Sequence, residues 1–251
     1  TPSSGSFGFA LGGDNNVYVT GGGTARLGQS APAGILIAPR VFLDGPFVPG
    51  TGLMSDALRT NGHVPVTEPY AALGYVHSGP AGGPITTGVL SVTGNNAIVD
   101  WVLLELRDAN DMTSVVRSRS ALLQRDGDVV DTDGTSPVPL TAPAGDYFVA
   151  IMHRNHLGCI TAAPVALSGA AVTVDLTSSS TSTYGTDARK VIGAWRALWA
   201  GDATFDRELK YTGSLNDRDA ILARIGGTVP TNTLTGYFGE DVDLDGTVKY
   251  T

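Results

Sequence analysis

Two twelve-residue segments, GDATFDRELKYT at 201–212 and EDVDLDGTVKYT at 240–251, repeat at a constant offset of 39 residues. The offset pairs Asp202 with Asp241, Asp206 with Asp245, Lys210 with Lys249, Tyr211 with Tyr250 and Thr212 with Thr251. A chain that returns to one pattern at fixed spacing builds the same local unit twice. Each copy carries oxygen-bearing side chains at positions one, three and five: Asp202, Thr204 and Asp206, then Asp241, Asp243 and Asp245. In a tight loop such alternating side chains converge several oxygens on one point, which is what a hard cation such as Ca²⁺ requires. Gly246 stands at position six of the second copy, where a sharp turn favours a residue without a Cβ. The first copy departs twice, with Thr204 at position three and Arg207 at position six. Backbone oxygens near Glu208 and Thr247 are expected to complete the two shells. After the YTGSLN insertion Asp217, with Asp219 in reserve, is placed to return a carboxylate to the first loop.

The rest of the chain reads as β structure. Gly 33 and Pro 14 with only 16% charged residues exclude a coiled coil and favour a loop-rich β protein. The acidic residues are 20 Asp against 4 Glu, a bias toward the carboxylate of turns and Ca²⁺ loops. Strand signals recur at Ile35 to Leu43, Gly88 to Thr93, Ala97 to Leu106, Ser114 to Gln124, Asp146 to His153 and Ala170 to Leu176. Their spacing predicts an antiparallel sandwich. The prolines of Asp44 to Pro84 bar that segment from central strands, and it reads as a surface excursion.

Three parts follow: a Gly/Ser-rich arm at 1–30 with strand-like pieces at Phe7 to Leu11 and Val17 to Thr20, a β domain at 31–183, and a cation-binding region at 184–251. The Ser/Thr run Thr177 to Thr183 marks the second boundary. Beyond it Val191, Ile192, Trp195, Leu198 and Trp199 fall on one helical stripe, which predicts a helix begun near Asp187 with both tryptophans in its core face. A second helix is expected from Asp217 to Ile225, ended by Gly226-Gly227.

The formal net charge of −8, with no basic patch, argues against a nucleic-acid partner. The longest apolar stretch, Ile98 to Leu106, is broken by Asp100 and Glu105 and falls far short of the roughly 20 residues that span a bilayer. The opening TPSSGSFG is expected to follow an export signal already removed or never included. A lone Cys159 rules out an internal disulfide and reads as a buried thiol.

Other constellations are weaker. Asp126, Asp128, Asp131 and Asp133 hold enough oxygen for a cation, yet a solvated hairpin with an Arg125 ion pair is the preferred reading. His153 and His156 have the spacing of a transition-metal pair but lack a third ligand, so hydrogen-bonded corner residues are expected instead. No serine sits in a GxSxG elbow, and nothing in the pattern orients a base toward Cys159. Gly12-Gly13 and Gly21-Gly22-Gly23 lack the lysine and helix of a phosphate loop and read as turns.

The run from LWAGDATFDREL to DGTVKYT resembles the dockerin-type Ca²⁺ repeats that close many secreted surface proteins of bacteria with a type IX secretion system. The upstream GNNAIVDWVLLELRDA, RSALLQRDGDVVDTDG and GDYFVAIMHRNHLG resemble the sandwich domain preceding those repeats in haemagglutinin-like or hypothetical members. The resemblance implies export, an Ig-like or prealbumin-like sandwich and a small helical dockerin-like tail of EF-hand-like loops. Binding of a partner module is not carried across, because the insertion and the missing second half-repeat alter the surface that would do it.

The expectation from sequence is thus a non-catalytic, secreted cell-surface protein, structural or adhesive, stabilised by Ca²⁺. Its expected partners are copies of itself, which the 1–30 arm would join into a fibre, or other cell-surface proteins, with a glycan as a further candidate. The alternative is a secreted hydrolase or carbohydrate-binding module with a dockerin-like anchor.

Overall fold

The computed structural model describes residues 8–11, 17–20, 25–27 and 34–250. The protein is mainly β, with several sheets. It divides into two units, Thr1–Ala33 and Gly34–Thr251. In the first unit the strands Gly8–Leu11, Val17–Thr20 and Ala25–Leu27 pair with one another as an antiparallel meander, with Phe9 opposite Val19 and Val19 opposite Ala25. The pieces expected to be an unpaired arm therefore satisfy their ladders locally. The turns at Gly12-Gly13 and Gly21 to Gly23 lie outside the described residues.

The second unit is built on a six-stranded sheet. Its spatial order is His156–Ile160, Gly145–His153, Ile98–Asp108, Asp111–Gln124 and Val129–Val130, with Val165–Leu167 also paired to Gly145–His153. Ile98–Asp108 lies at its centre and is buried from Ile98 through Leu106, so it reads as a continuous apolar run rather than an alternating one. A three-stranded sheet, Val138–Leu140, Ile35–Arg40 and Val172–Asp175, contributes Ile35, Ile37, Val138, Leu140 and Val174 to the same core. Its last pair is parallel.

The sequence and structure differ at three places. The Asp44 to Pro84 segment supplies no central strand, as its prolines require, but only its part after Tyr70 is the expected surface excursion. Met54, Leu58, Val64 and Tyr70 are buried in the core, Tyr70 donates to Trp101 O at 3.0 Å, and Trp101 Nε1 donates to Pro65 O at 2.9 Å. The segment covers the central strand, which explains why that strand is buried along its length.

The helix predicted from Asp187 through Trp199 is instead a hairpin, Lys190–Ile192 paired with Trp195–Ala197. Gly193, at φ 59°, allows the tight reversal that a helix would not contain. Trp195 meets Phe42 and Phe47 edge-on at centroid distances of 5.6 and 6.2 Å rather than packing against another helix. Gly88 to Thr93, expected as a strand, is a single 3₁₀ turn at Val89–Ser91.

The second predicted helix is present at Asp217–Arg224, with Asn216 as its N-cap accepting from Asp219 N at 2.8 Å. Among the described residues it is the one α-helix C-terminal to the Ser/Thr run. No described helix is long and apolar enough to cross a membrane.

Candidate metal centre

The two repeat loops fold alike. Position four has φ 56° in both, at Phe205 and Leu244, and position six has φ 71° at Arg207 and 89° at Gly246. Position one accepts from the position-six peptide in each: Arg207 N to Asp202 Oδ2 at 3.0 Å, and Gly246 N to Asp241 Oδ2 at 2.9 Å. Position five accepts from position seven in each, Glu208 N to Asp206 Oδ1 at 3.0 Å and Thr247 N to Asp245 Oδ1 at 2.8 Å. The substitution of arginine for glycine has not changed the turn.

What differs is the disposition of carboxylate oxygens. In the first loop Asp202 Oδ1 also accepts from Asp206 N at 3.0 Å. Asp217 returns from the helix as expected, but it bonds the loop itself, accepting from Thr204 N and Oγ1 at 3.3 and 3.2 Å and from Lys210 N at 2.8 Å. Asp202 and Asp217 are therefore buried and internally satisfied, while Thr204, Asp206 and Glu208 are exposed. Burial pushes the Asp202 carboxyl up to about 6, against the pull of its two peptide donors.

In the second loop one ligand atom from each of Asp241, Asp243 and Asp245 lies within 4.8 Å of the others, the one such acidic cluster among the described residues. Asp241 is 1% exposed, and its Oδ1 has no hydrogen-bond donor. Burial, then the neighbouring Asp243 carboxylate, raises the Asp241 carboxyl to about 7. Lys249 sets its ammonium against Asp243 Oδ2 at 3.0 Å and against Asp245 Oδ2, supplying positive charge on the cluster's outer side. Thr247, at position seven, opens the strand Thr247–Lys249, which pairs with Thr233–Thr235. This loop is thus held by a hairpin rather than by two helices.

Both loops are fastened to the sheet by one corner. His153, Arg154, Asn155 and His156 join two strands of the large sheet and are all buried. Asn155 O accepts from Gly201 N at 3.0 Å beside the first loop, and Asn155 Nδ2 donates to Asp241 O at 2.6 Å in the second. Arg154 donates to Phe238 O and stacks over Tyr237, 4.1 Å from its centroid.

Beneath the corner Asp100 accepts from Arg154 Nε at 2.9 Å and Tyr237 Oη at 2.7 Å and lies 3.1 Å from His153 Nε2. Burial alone would raise the Asp100 carboxyl, but Arg154, His153 and Tyr237 outweigh it and hold it down to about 2. Desolvation lowers both histidines, which are neutral near pH 7, and their rings contact through Nδ1 at 3.1 Å. The expected hydrogen-bonded corner is what the structure contains.

A second side chain grips the metal-candidate loop from a distant part of the chain. Asn61 Nδ2 donates to Asp245 O at 3.1 Å. A Cβ built on Gly246 would sit 2.9 Å from His63 Cδ2, so glycine there serves close packing as well as its positive φ. Sequence reasoning missed Asn61 and Asn155, since isolated asparagines far from the repeat carry no pattern. Lys249 was visible as a repeated lysine, without its role.

The Asp126 to Asp133 carboxylates do not converge. Asp128 pairs with Arg40 at 2.6 Å, Asp131 with Arg119 at 2.7 Å, and Asp133 accepts from Thr135 N and Ser136 N. Arg125, the expected partner, lies 3.5 Å from Asp56 instead. Cys159 is buried, and burial pushes its thiol up to about 12. No protein-family model, curated protein or solved structure matches the chain.

Proposed function

We propose that this is a non-catalytic extracellular protein, structural or adhesive, whose β-sandwich is stabilised by Ca²⁺ bound in a dockerin-like terminal region. The observation that carries the reading is the buried Asp241 Oδ1, without a donor and facing two further carboxylates. A buried charged oxygen left unpaired costs free energy that a bound cation would remove. Asp241, Asp243 and Asp245 with the Thr247 carbonyl are the ligands of the strong site. Asp202, Thr204, Asp206, Asp217 and the carbonyl near Glu208 form a weaker one, because their oxygens must give up peptide donors before they can turn to a cation. Weak sites remain useful at extracellular Ca²⁺ concentrations.

The histidine corner offers no reacting group of ordinary basicity, since its histidines are buried and held neutral. Self-association through the strands of the first unit remains part of the proposal, as among the described residues Gly8–Leu11 and Ala25–Leu27 each pair along one edge.

The test is calorimetric titration of metal-free protein with Ca²⁺, followed by sedimentation and negative-stain microscopy with Ca²⁺ or EGTA. One tight and one weak binding event, with Ca²⁺-dependent assemblies, would support the reading. Absence of heat and of any Ca²⁺-induced rise in Tm would overturn the cation site. A monodisperse monomer in both conditions would overturn the assembly.

A further inference from the structure

Three observations meet at Arg207. It stands where the second copy has Gly246, yet it adopts the same left-handed backbone, φ 71°, which side chains with a Cβ rarely take up. Among the described residues its guanidinium, like those of Arg117, Arg189, Arg196 and Arg218, pairs with no carboxylate. Its side chain also lines a cavity of about 300 Å³ walled by Arg107, Met152, Cys159, Ile160 and Tyr184.

No acid lines the cavity, and the carboxylate behind its Arg107 wall is already engaged. Glu105 accepts from Arg107 Nε at 2.7 Å and from Arg107 Nη2 through one oxygen, and from Tyr75 Oη at 2.7 Å through the other. That pairing saturates Glu105, while Arg207 is exposed at the cavity with its guanidinium open to a ligand. Phe205 and Leu244 share a positive φ at position four, but only at position six does one copy carry glycine and the other a side chain, and strain kept where glycine would serve points to a role for that side chain.

We propose that this cavity is a binding site for the carboxylate of a sugar acid, with Arg207 supplying the paired N–H donors and Tyr184 and Met152 bordering the ring. A guanidinium matches a carboxylate bidentately. The volume lies at the small end of ligand pockets, which suits a single ring. Tyr184 is 58% exposed and offers an amphipathic face to it. The choice of a sugar over another carboxylate rests on the extracellular adhesive reading. The anion site itself does not.

The test is an NMR or calorimetric titration of the full chain, in Ca²⁺ buffer, with methyl glucuronide, methyl glucoside and propionate. Saturable binding of the glucuronide alone is expected, weakened about tenfold or more in Arg207→Gly and less in Arg207→Lys. Arg207→Gly relieves the backbone strain, so the variant folds and its loss of binding is interpretable. Undiminished binding by Arg207→Gly, or no saturable binding of the glucuronide, would overturn the site. Equal binding of propionate would overturn the sugar. The Ca²⁺-induced Tm shift, read on the same samples, depends on Asp241 and separates failure of this site from failure of the cation reading.

Discussion

The first and second repeat loops share a backbone and differ in where their oxygens go. The loop at 202–208 bonds its carboxylates to its own peptide N–H groups and to Thr204, whereas the loop at 241–247 leaves Asp241 Oδ1 without a donor and crowds three carboxylates together. The same fold of chain is thus self-sufficient in one copy and incomplete in the other. The difference arises from two features. Thr204 supplies a hydroxyl donor where Asp243 supplies a second negative charge, and Asp217 enters the first loop while, among the described residues, no equivalent carboxylate meets the second. A repeat pattern therefore specifies loop shape more firmly than it specifies metal affinity.

The variant with the largest expected effect removes what the two loops share. Asp100→Asn would leave the buried Arg154 without its carboxylate, and the expected loss is about 3–5 kcal/mol of unfolding free energy by denaturant titration. Because Arg154 and Asn155 fasten both loops, the two should loosen together, read as equal gains in amide exchange at 201–208 and 238–247. Loosening of one loop alone would show that the corner does not couple them.

Next comes the metal response itself. Ca²⁺ at a hundredfold excess over Kd should add about 2.7 kcal/mol of stability to the wild type. Asp241→Asn should abolish most of that increment, whereas Asp202→Asn should leave most of it, measured as Tm with and without Ca²⁺. The reverse ranking would invert the comparison.

Smaller effects come from position six. Arg207→Gly should raise stability by about 1 kcal/mol through relief of the left-handed backbone. Gly246→Ala should lower it by a similar amount or more, since the added Cβ meets both the positive φ and His63. Stability curves that do not separate the two variants would refute the shared strain.

The remaining test is in pH. In metal-free protein Asp202 and Asp241, raised to about 6 and 7, bind protons in the folded state that the unfolded chain, near 3.8, does not. Their contribution therefore falls as pH rises from about 4 to 7. His153 and His156 act oppositely: both are lowered, so the unfolded state takes up protons below about 6.5 and stability falls on acidification. Asp241→Asn should remove that residue's share of the first trend and leave the rest, so that metal-free variant protein loses stability more steeply than wild type between pH 6.5 and 5. Parallel profiles would count against the buried, unpaired state of Asp241.

Much of this architecture was legible locally. Alternating or continuous apolar runs located Ile35–Arg40, Ile98–Asp108, Asp111–Gln124, Gly145–His153 and Val172–Asp175 to within a few residues. The glycine pair marked the end of the 217–224 helix, whose start was placed at Asp217. The failures share one cause. The stripe at Val191 to Trp199 fits a helical period by coincidence of few apolar residues, and Gly193 with Phe42 and Phe47 decides for a hairpin. The 44–84 segment was misplaced because prolines report what a chain cannot pair with, not what it can cover.

The sequence by itself determined the strand ladders, the repeat and the shape of both loops, since these depend on hydrophobic period, turn residues and spacing along the chain. Tertiary structure decided which oxygens remain free and which asparagines hold the loops. Those outcomes depend on donors brought from far along the chain: Asn61 to Asp245 spans 184 residues and Asn155 to Asp241 spans 86. Hydrogen bonds form or fail over tenths of an ångström, a resolution that local sequence pattern does not carry.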